Sequence, residues 1–481
     1  MSATTRPTII QGGMGVAISD WRLARAVSTT GQLGVVSGTA LDVVLARRLQ
    51  DGDPDGDVRR ALAAFPVPAV AAWILDTYFV EGGIPGDTLY RPVPRHTLTS
   101  ARSLLELTVA GGFVEVWLAK QGHANPVGIN LLRKIELPLP ATLYGAILAG
   151  VDYVLVGAGS PAEIPGIARR LAAHEDVTLD VRVIGARSSD GLGAMTFSPK
   201  AVLPQPLPSL TPPQTLAIVA SVDLATALAG DPTTRPDGFV VEGPSAGGHN
   251  APPRGPREVD DIGQPVYGER DVVDTEALVA LGLPFWLAGS YAARDRLAVA
   301  IAQGAAGVQV GTAFAFCDES GMSEPLKHQA RRLIDEGRLT SRADWRVSPT
   351  GFPFRVADLE GTISDPATVA SRQAVCDLGV LRAAYKKEDG TVGFRCPSEP
   401  TAQYLRKGGS AATVPGRICL CNALLATAGM PQRRPDGSVE APLLTCGDDL
   451  SPVADLMSGS RRPDRGYTAR DVIDSLLGHP A

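Results

Sequence analysis

The chain has no cluster of lysines or arginines, no uninterrupted apolar stretch of membrane-crossing length, few aromatics (5%) and only six cysteines in 481 residues. Each scarcity excludes something. With a net charge of -6 and no basic run, non-specific binding to nucleic acid or to an anionic membrane is not expected. Met1 to Pro7 carries no apolar core, so a secretory leader is not expected. Leu297 to Cys317 is interrupted by Gln303, Gly304, Gly307 and Gln309, and Ala201 to Val222 contains five prolines, so neither reads as a membrane helix. The cysteines (Cys317, Cys376, Cys396, Cys419, Cys421, Cys446) all lie in the C-terminal part, which suits reduced thiols better than a disulfide framework. The expectation is a cytoplasmic protein. Two common ligand motifs are missing as well: there is no phosphate-binding G-x-x-x-x-G-K-[ST] loop and no H-E-x-x-H zinc helix. Gly157-Ala-Gly159 only echoes a dinucleotide loop, because Ala162 stands where a third glycine would be needed.

What is present is a large apolar fraction (44%) arranged in a rhythm. Short β-rich runs alternate with helical patterns up to about residue 317. The runs are Thr8–Gln11, Leu33–Ser37, Val127–Leu131, Tyr153–Val156, Leu216–Ser221, Gly238–Glu242, Phe285–Ala288 and Gly307–Val310. Repeated strand-then-helix order implies a parallel sheet, and eight units imply closure into a (β/α)8 TIM barrel; an open doubly wound sheet is the rival. Ser19 is placed to cap the first helix, ahead of Trp21, Leu23, Ala24 and Val27. Asp42 near the start and Arg47-Arg48 near the end of the next helix complement its dipole. The domain reading is a barrel over residues 1–334 and a C-terminal capping extension over 335–481. Insertions fall at about 51–125, with two helical patterns, and at about 174–215, with a hairpin over Thr178–Ile184 and a proline-rich loop.

The glycines gather where these strands end. The first strand runs into Gln11-Gly12-Gly13-Met14, where the absence of Cβ atoms lets backbone approach a flat ligand. The sixth runs into Ser245-Ala-Gly247-Gly248-His249, putting a lone histidine, the side chain best suited to proton exchange near neutrality, at the barrel mouth. The seventh and eighth end in Gly289-Ser290 and Gly311-Thr312, each leading into a helical segment. Loops in those two positions form the usual phosphate site of a barrel. A tight turn explains any one of these loops alone, and a locally hydrogen-bonded loop residue explains His249.

Taken together, Gln11-Gly-Gly-Met14, Ala246-Gly-Gly-His249 and Gly307-Val-Gln-Val-Gly-Thr312 resemble the nitronate monooxygenases, formerly 2-nitropropane dioxygenases, over roughly residues 7–317. The flavin-dependent enoyl-acyl carrier protein reductases share these motifs. The resemblance implies an FMN-binding barrel. Gln11, Gly12, Gly13 and Met14 would lie along the isoalloxazine with Gly247 and Gly248 nearby, and Asn130 would contact ring or substrate. Gly289, Ser290, Gly311 and Thr312 would hold the phosphate, and His249 would be the catalytic histidine. Ser290 departs from the pattern, since the family usually has a second glycine there. The Asn250–Gly255 loop and the C-terminal extension resemble a larger subgroup that includes enoyl reductases working beside polyunsaturated fatty acid synthases.

The activity so implied is oxidation of nitronates or nitroalkanes with O2 to a carbonyl and nitrite. An NAD(P)H-dependent reductase of enoyl thioesters or quinones on the same scaffold is the alternative, and a non-redox barrel binding a phosphorylated ligand is a third reading. A homodimer is left open. In the extension, Cys396, Cys419, Cys421 and Cys446 could supply four thiolates to a metal, but their spacing is irregular and scattered thiols are the simpler reading. Arg406-Lys407 reads as solvated surface.

Overall fold

The computed structural model describes residues 6–462, 464 and 466–479; the first five residues of the stretch read for a leader lie outside them. Eight strands form one parallel sheet: β1 Ile9–Gln11, β2 Gly34–Ser37, β3 Val127–Leu132, β4 Tyr153–Gly157, β5 Gln214–Val219, β6 Gly238–Glu242, β7 Phe285–Ala288 and β8 Gly307–Val310. Neighbours pair in chain order, and β1 pairs with β8 in the register Ile10↔Gln309. A parallel bridge between Ile10 and Leu33, with Gln11 N donating to Leu33 O at 2.9 Å, joins β1 to the start of β2. The sheet therefore curls into a nearly closed barrel, and the doubly wound alternative falls away. All eight strands expected from the sequence are in place, within two residues at their ends.

Side chains alternate across each strand, and the sorting is clean. Ile10, Leu33, Val35, Tyr153, Leu155, Leu216, Val240, Trp286 and Ala288 fill the barrel interior. Ile9, Val219, Phe239, Val241, Phe285, Leu287, Val308 and Val310 face outward to the helices. The parity fixes what lies above the interior layer: Asn130, Glu242 and Gln309 point inward at the C-terminal ends of β3, β6 and β8. Gln11 shares the outward parity of Ile9.

The first helix, Trp21–Ser28, is capped by Asp20, whose carboxylate accepts from Arg22 N and Leu23 N. Ser19, expected to be the cap, instead accepts from Met14 N at 2.9 Å and donates to Gly12 O at 3.0 Å. One residue's shift makes it a brace of the glycine loop. The first insertion holds three helices rather than two: Asp57–Ala63, Pro68–Tyr78 and Arg102–Ala119. In the second, Val177–Asp180 pairs antiparallel with Ala194–Phe197, while Val183–Ile184 runs parallel to Ala383–Lys386 of the extension. The expected hairpin within Thr178–Ile184 is thus two half-pairs with distant partners. The second pairing, with a partner about two hundred residues on, had no local turn signal.

Residues beyond 335 fold back on the barrel. Phe354–Ala357 pairs antiparallel with both Ser341–Asp344 and Gly248–His249, the segment holding the candidate histidine. Helix Ala469–Leu477 packs on Trp21–Ser28 and on Arg294–Ala302, the helices following β1 and β7. Its Val472, Ile473 and Leu476 are buried in the outer core, so the end of the chain completes the helical ring. Among the described residues no helix is long and apolar enough to cross a membrane.

Candidate active site

A cavity of about 400 Å³ opens over the C-terminal ends of the strands, a size and position suited to a small-molecule site. Gly12, Gly13, Met14, Asn130, Gly247, Gly248, His249, Gly289, Ser290, Gly311 and Thr312 all line it. Gln11 does not. Its side chain, fully buried, donates to Ser19 Oγ at 2.8 Å and accepts from Val35 N at 3.0 Å. This outward residue holds the β1 loop from behind.

Two loops show why glycine is required. A Cβ on Gly13 would stand 2.3 Å from the Cβ of Asn130, so the loop crosses β3 at backbone distance. Asn130 Nδ2 in turn approaches Gly13 O at 3.5 Å. A Cβ on Gly247 would lie 2.8 Å from the carbonyl carbon of Cys446, while Gly248 takes φ +77°. Gly247 is therefore demanded by the extension, whose segment 445–448 clamps the site. Thr445 Oγ1 accepts from Gly248 N and Thr312 Oγ1 accepts from Gly447 N, both at 2.8 Å.

At the other end, Gly289 takes φ +94° and Ser290 φ +57°. The left-handed conformation explains why a second glycine would suit position 290. Ser290 Oγ donates to Asp448 at 3.1 Å, and Arg355 lies 3.8 Å from the same carboxylate. Relief of the left-handed strain, set against glycine's greater chain entropy, leads us to expect Ser290→Gly to stabilise the protein by about 0.5–1 kcal/mol. A melting temperature unchanged or lowered in that variant would show that the Asp448 contact offsets or outweighs the strain.

His249 is held by the extension. Its Nε2 lies 2.7 Å from Ser348 Oγ, which is itself 2.7 Å from Thr350 Oγ1. The ring meets Phe354 edge-on, with centroids 4.8 Å apart. Burial, followed by the charge of Lys134, pushes its pKa well below the usual imidazole value, so the ring is neutral at physiological pH.

Three further groups were not singled out in the sequence. Glu242 lines the cavity, and burial raises its carboxyl to about 7 despite the neighbouring Lys134 charge. Gln309 lines it from β8 with Oε1 buried and without a partner. Lys134, four residues beyond Asn130, has its Nζ buried without a hydrogen-bond partner, 4.2 Å from the centroid of the Phe352 ring. Strand parity carried the signal for Glu242 and Gln309; nothing local carried it for Lys134.

Of the four thiols considered as metal ligands, Cys446 belongs to the clamp and is hydrogen-bonded with Ser341, whereas Cys419 and Cys421 are hydrogen-bonded to each other as thiols. All six cysteines are free, and among the described residues no group of three or more His, Cys, Asp or Glu is arranged to hold a metal ion. Lys407 is not simply solvated: its Nζ pairs with the buried Glu399 at 2.6 Å.

Residues 213–347 match the family model described as nitronate monooxygenase, the family that the motifs resemble. The match spans β5 to β8 and with them His249 and both phosphate-type loops. No curated protein sequence matches the chain. Among solved structures, nitroalkane oxidase from Streptomyces ansochromogenes superposes with a TM-score of 0.48 at 15% identity, covering 98% of this chain and 95% of that one. FabK from Thermotoga maritima gives 0.47 at 15%, covering 99% and 93%. The enoyl reductase domain of MlnA from the macrolactin biosynthesis cluster of Bacillus amyloliquefaciens gives 0.47 at 11%, covering 98% and 94%. These superpositions are too loose to transfer any residue's role.

Proposed function

We propose that this barrel is an FMN-dependent oxidoreductase that converts nitronates, or the parent nitroalkanes, with O2 to a carbonyl compound and nitrite. The observation that carries the reading is the convergence on one cavity of the Gly12–Gly13 loop, a neutral histidine and two strand-end loops suited to a phosphate.

The residues fit a flavin mononucleotide. Gly12 and Gly13 pack against Gln309 and Asn130 where a Cβ would stand, which brings this loop's backbone close over the strand ends as one wall for a flat ring. Gln309 Oε1 and Asn250 Oδ1 are buried acceptors in the cavity wall without protein partners, suited to a ligand with N–H groups. Gly289–Ser290 and Gly311–Thr312 supply backbone N–H groups for the phosphate. Thr312 also retains its hydroxyl proton, because its oxygen accepts from Gly447.

A bound flavin would supply an electron acceptor for the substrate and a route onward to O2. The chain's own part is proton handling and exclusion of water. His249, neutral and fixed by Ser348, removes the α-proton of a nitroalkane or orients a nitronate. Phe352, Phe354, Leu420 and Leu424 wall the cavity with apolar surface, so a charge on the substrate is felt strongly by the few polar groups present.

The test is the visible spectrum of the purified protein, repeated after anaerobic addition of ethyl nitronate and, separately, of NADPH. Flavin bands bleached by the nitronate, with nitrite formed once air is admitted, are expected. Bleaching by NADPH alone would replace this reading with a reductase of enoyl thioesters or quinones. A protein that takes up no FMN would overturn it.

A further inference from the structure

We propose that Lys134 is the anion-anchoring residue of this cavity, its ammonium taking a negatively charged oxygen of the substrate beside His249. The inference rests on the oxidoreductase reading for the substrate's identity, but the anion site itself stands on the lysine's surroundings.

An ammonium needs hydrogen-bond acceptors when it leaves water, and a buried one without them is costly. Lys134 has none. Its Nζ is out of solvent, with no hydrogen-bond partner among the described residues and the face of Phe352 against it. Its sequence neighbour Arg133 shows the ordinary alternative, pairing with Glu136 at 2.9 Å and Glu163 at 2.7 Å. Lys134 leaves that network and lines the cavity. Of the titratable groups facing it, Glu242 at the end of β6 stabilises its charge without hydrogen-bonding it, and His249 feels that charge. Tyr267 reaches the same group of charges only through Glu242. Burial brings the lysine down to about 7. Near neutrality the site thus holds a cation that an incoming anion can fix, with a neutral histidine beside it to handle a proton. A nitronate oxygen or a small carboxylate satisfies it; a neutral ligand leaves the ammonium unpaired.

The experiment uses the purified protein with whatever flavin it carries, and nitrite and acetate as probe anions, with Kd measured by calorimetry at pH 6.0 and 8.5. Wild type is expected to bind nitrite at pH 6.0 and to lose about tenfold or more in affinity at pH 8.5, as the amine deprotonates. Lys134→Met should bind nitrite about 10- to 100-fold more weakly at pH 6.0, the usual loss for a charge-assisted bond. It should also melt about 2–5 °C higher, since it no longer buries an unpaired amine. Lys134→Arg, which stays charged, should retain binding at pH 8.5 where wild type has lost it. Glu242 becomes more anionic over the same range in both proteins, so their difference at pH 8.5 belongs to position 134.

Lys134→Met binding nitrite within twofold of wild type, or melting below it, would overturn the proposal. A protein with normal flavin chemistry but Lys134-independent anion binding loses this inference alone. One without flavin but with Lys134-dependent binding keeps it and loses the oxidoreductase reading.

Discussion

His249→Ala is expected to retain flavin and to lose about 10²–10⁴ in turnover of a neutral nitroalkane, the usual share of a general base. The substitution removes the one imidazole that lines the cavity among the described residues. It leaves the glycine loops and the phosphate end untouched, so the absorbance of bound flavin should not change. A preformed nitronate needs no α-proton removed, and its turnover should fall much less. The pH profile gives an independent check. A base must be unprotonated to act, and burial holds this ring well below the ordinary histidine value. The acid limb due to His249 should therefore lie well below pH 6.5, and a titration seen near 7 belongs to Lys134 or Glu242 instead. Ser348→Ala, which frees the ring from its 2.7 Å partner, should fall between wild type and His249→Ala. Equal rates for wild type and His249→Ala on a nitroalkane would take the histidine out of the chemistry.

The division between what the sequence revealed and what it concealed follows the range of the interactions. The barrel was legible because strand and helix periods, and glycines at strand ends, are local patterns. Parity within a strand is local too, and applied to Ile9-Ile10-Gln11 it turns the glutamine away from the mouth. Applied to Val240-Val241-Glu242 and Val308-Gln309, it turns Glu242 and Gln309 inward. Ser19 and Asp20 are both good caps, and only the demand of Met14 N and Gly12 O for a partner decides between them. Contacts across about a hundred residues or more were beyond reach. His249 meets Ser348 99 positions later, Gly248 meets Thr445 197 positions later, and the strand at Val183–Ile184 finds its partner at Ala384–Tyr385. The extension therefore read as a cap, although it supplies the partner of the histidine, the clamp on the phosphate end and a helix of the outer ring. Lys134 stayed hidden because an unpaired lysine has no sequence signature; its environment comes from β6, the Phe352 loop and the histidine segment.

Gly13→Ala is expected to weaken flavin binding by about 10- to 100-fold, as overpacking by one methyl group costs about 1–3 kcal/mol where neither side can move. Here neither can. The new Cβ would stand 2.3 Å from the Cβ of Asn130, an atom fixed to the backbone of β3, which pairs with β2 and β4. The loop would have to lift, and the adjoining Met14 N, which donates to Ser19 Oγ at 2.9 Å, would be drawn off with it. Because Ser19 also receives Gln11 Nε2 at 2.8 Å, the disturbance runs down to the bracket behind the loop. Gly12→Ala should weaken binding less, since its Cβ would come no closer than 3.4 Å to the side chain of Gln309. The double variant Gly13→Ala with Asn130→Gly removes the obstructing Cβ and should recover thermal stability, but not the contact Asn130 makes at the cavity wall. Recovery of flavin affinity along with stability would reduce Asn130 to a spacer. Recovery of stability alone would make it a ligand of the ring or the substrate. Full flavin affinity in the single Gly13→Ala variant would mean that the ring lies elsewhere in the barrel mouth.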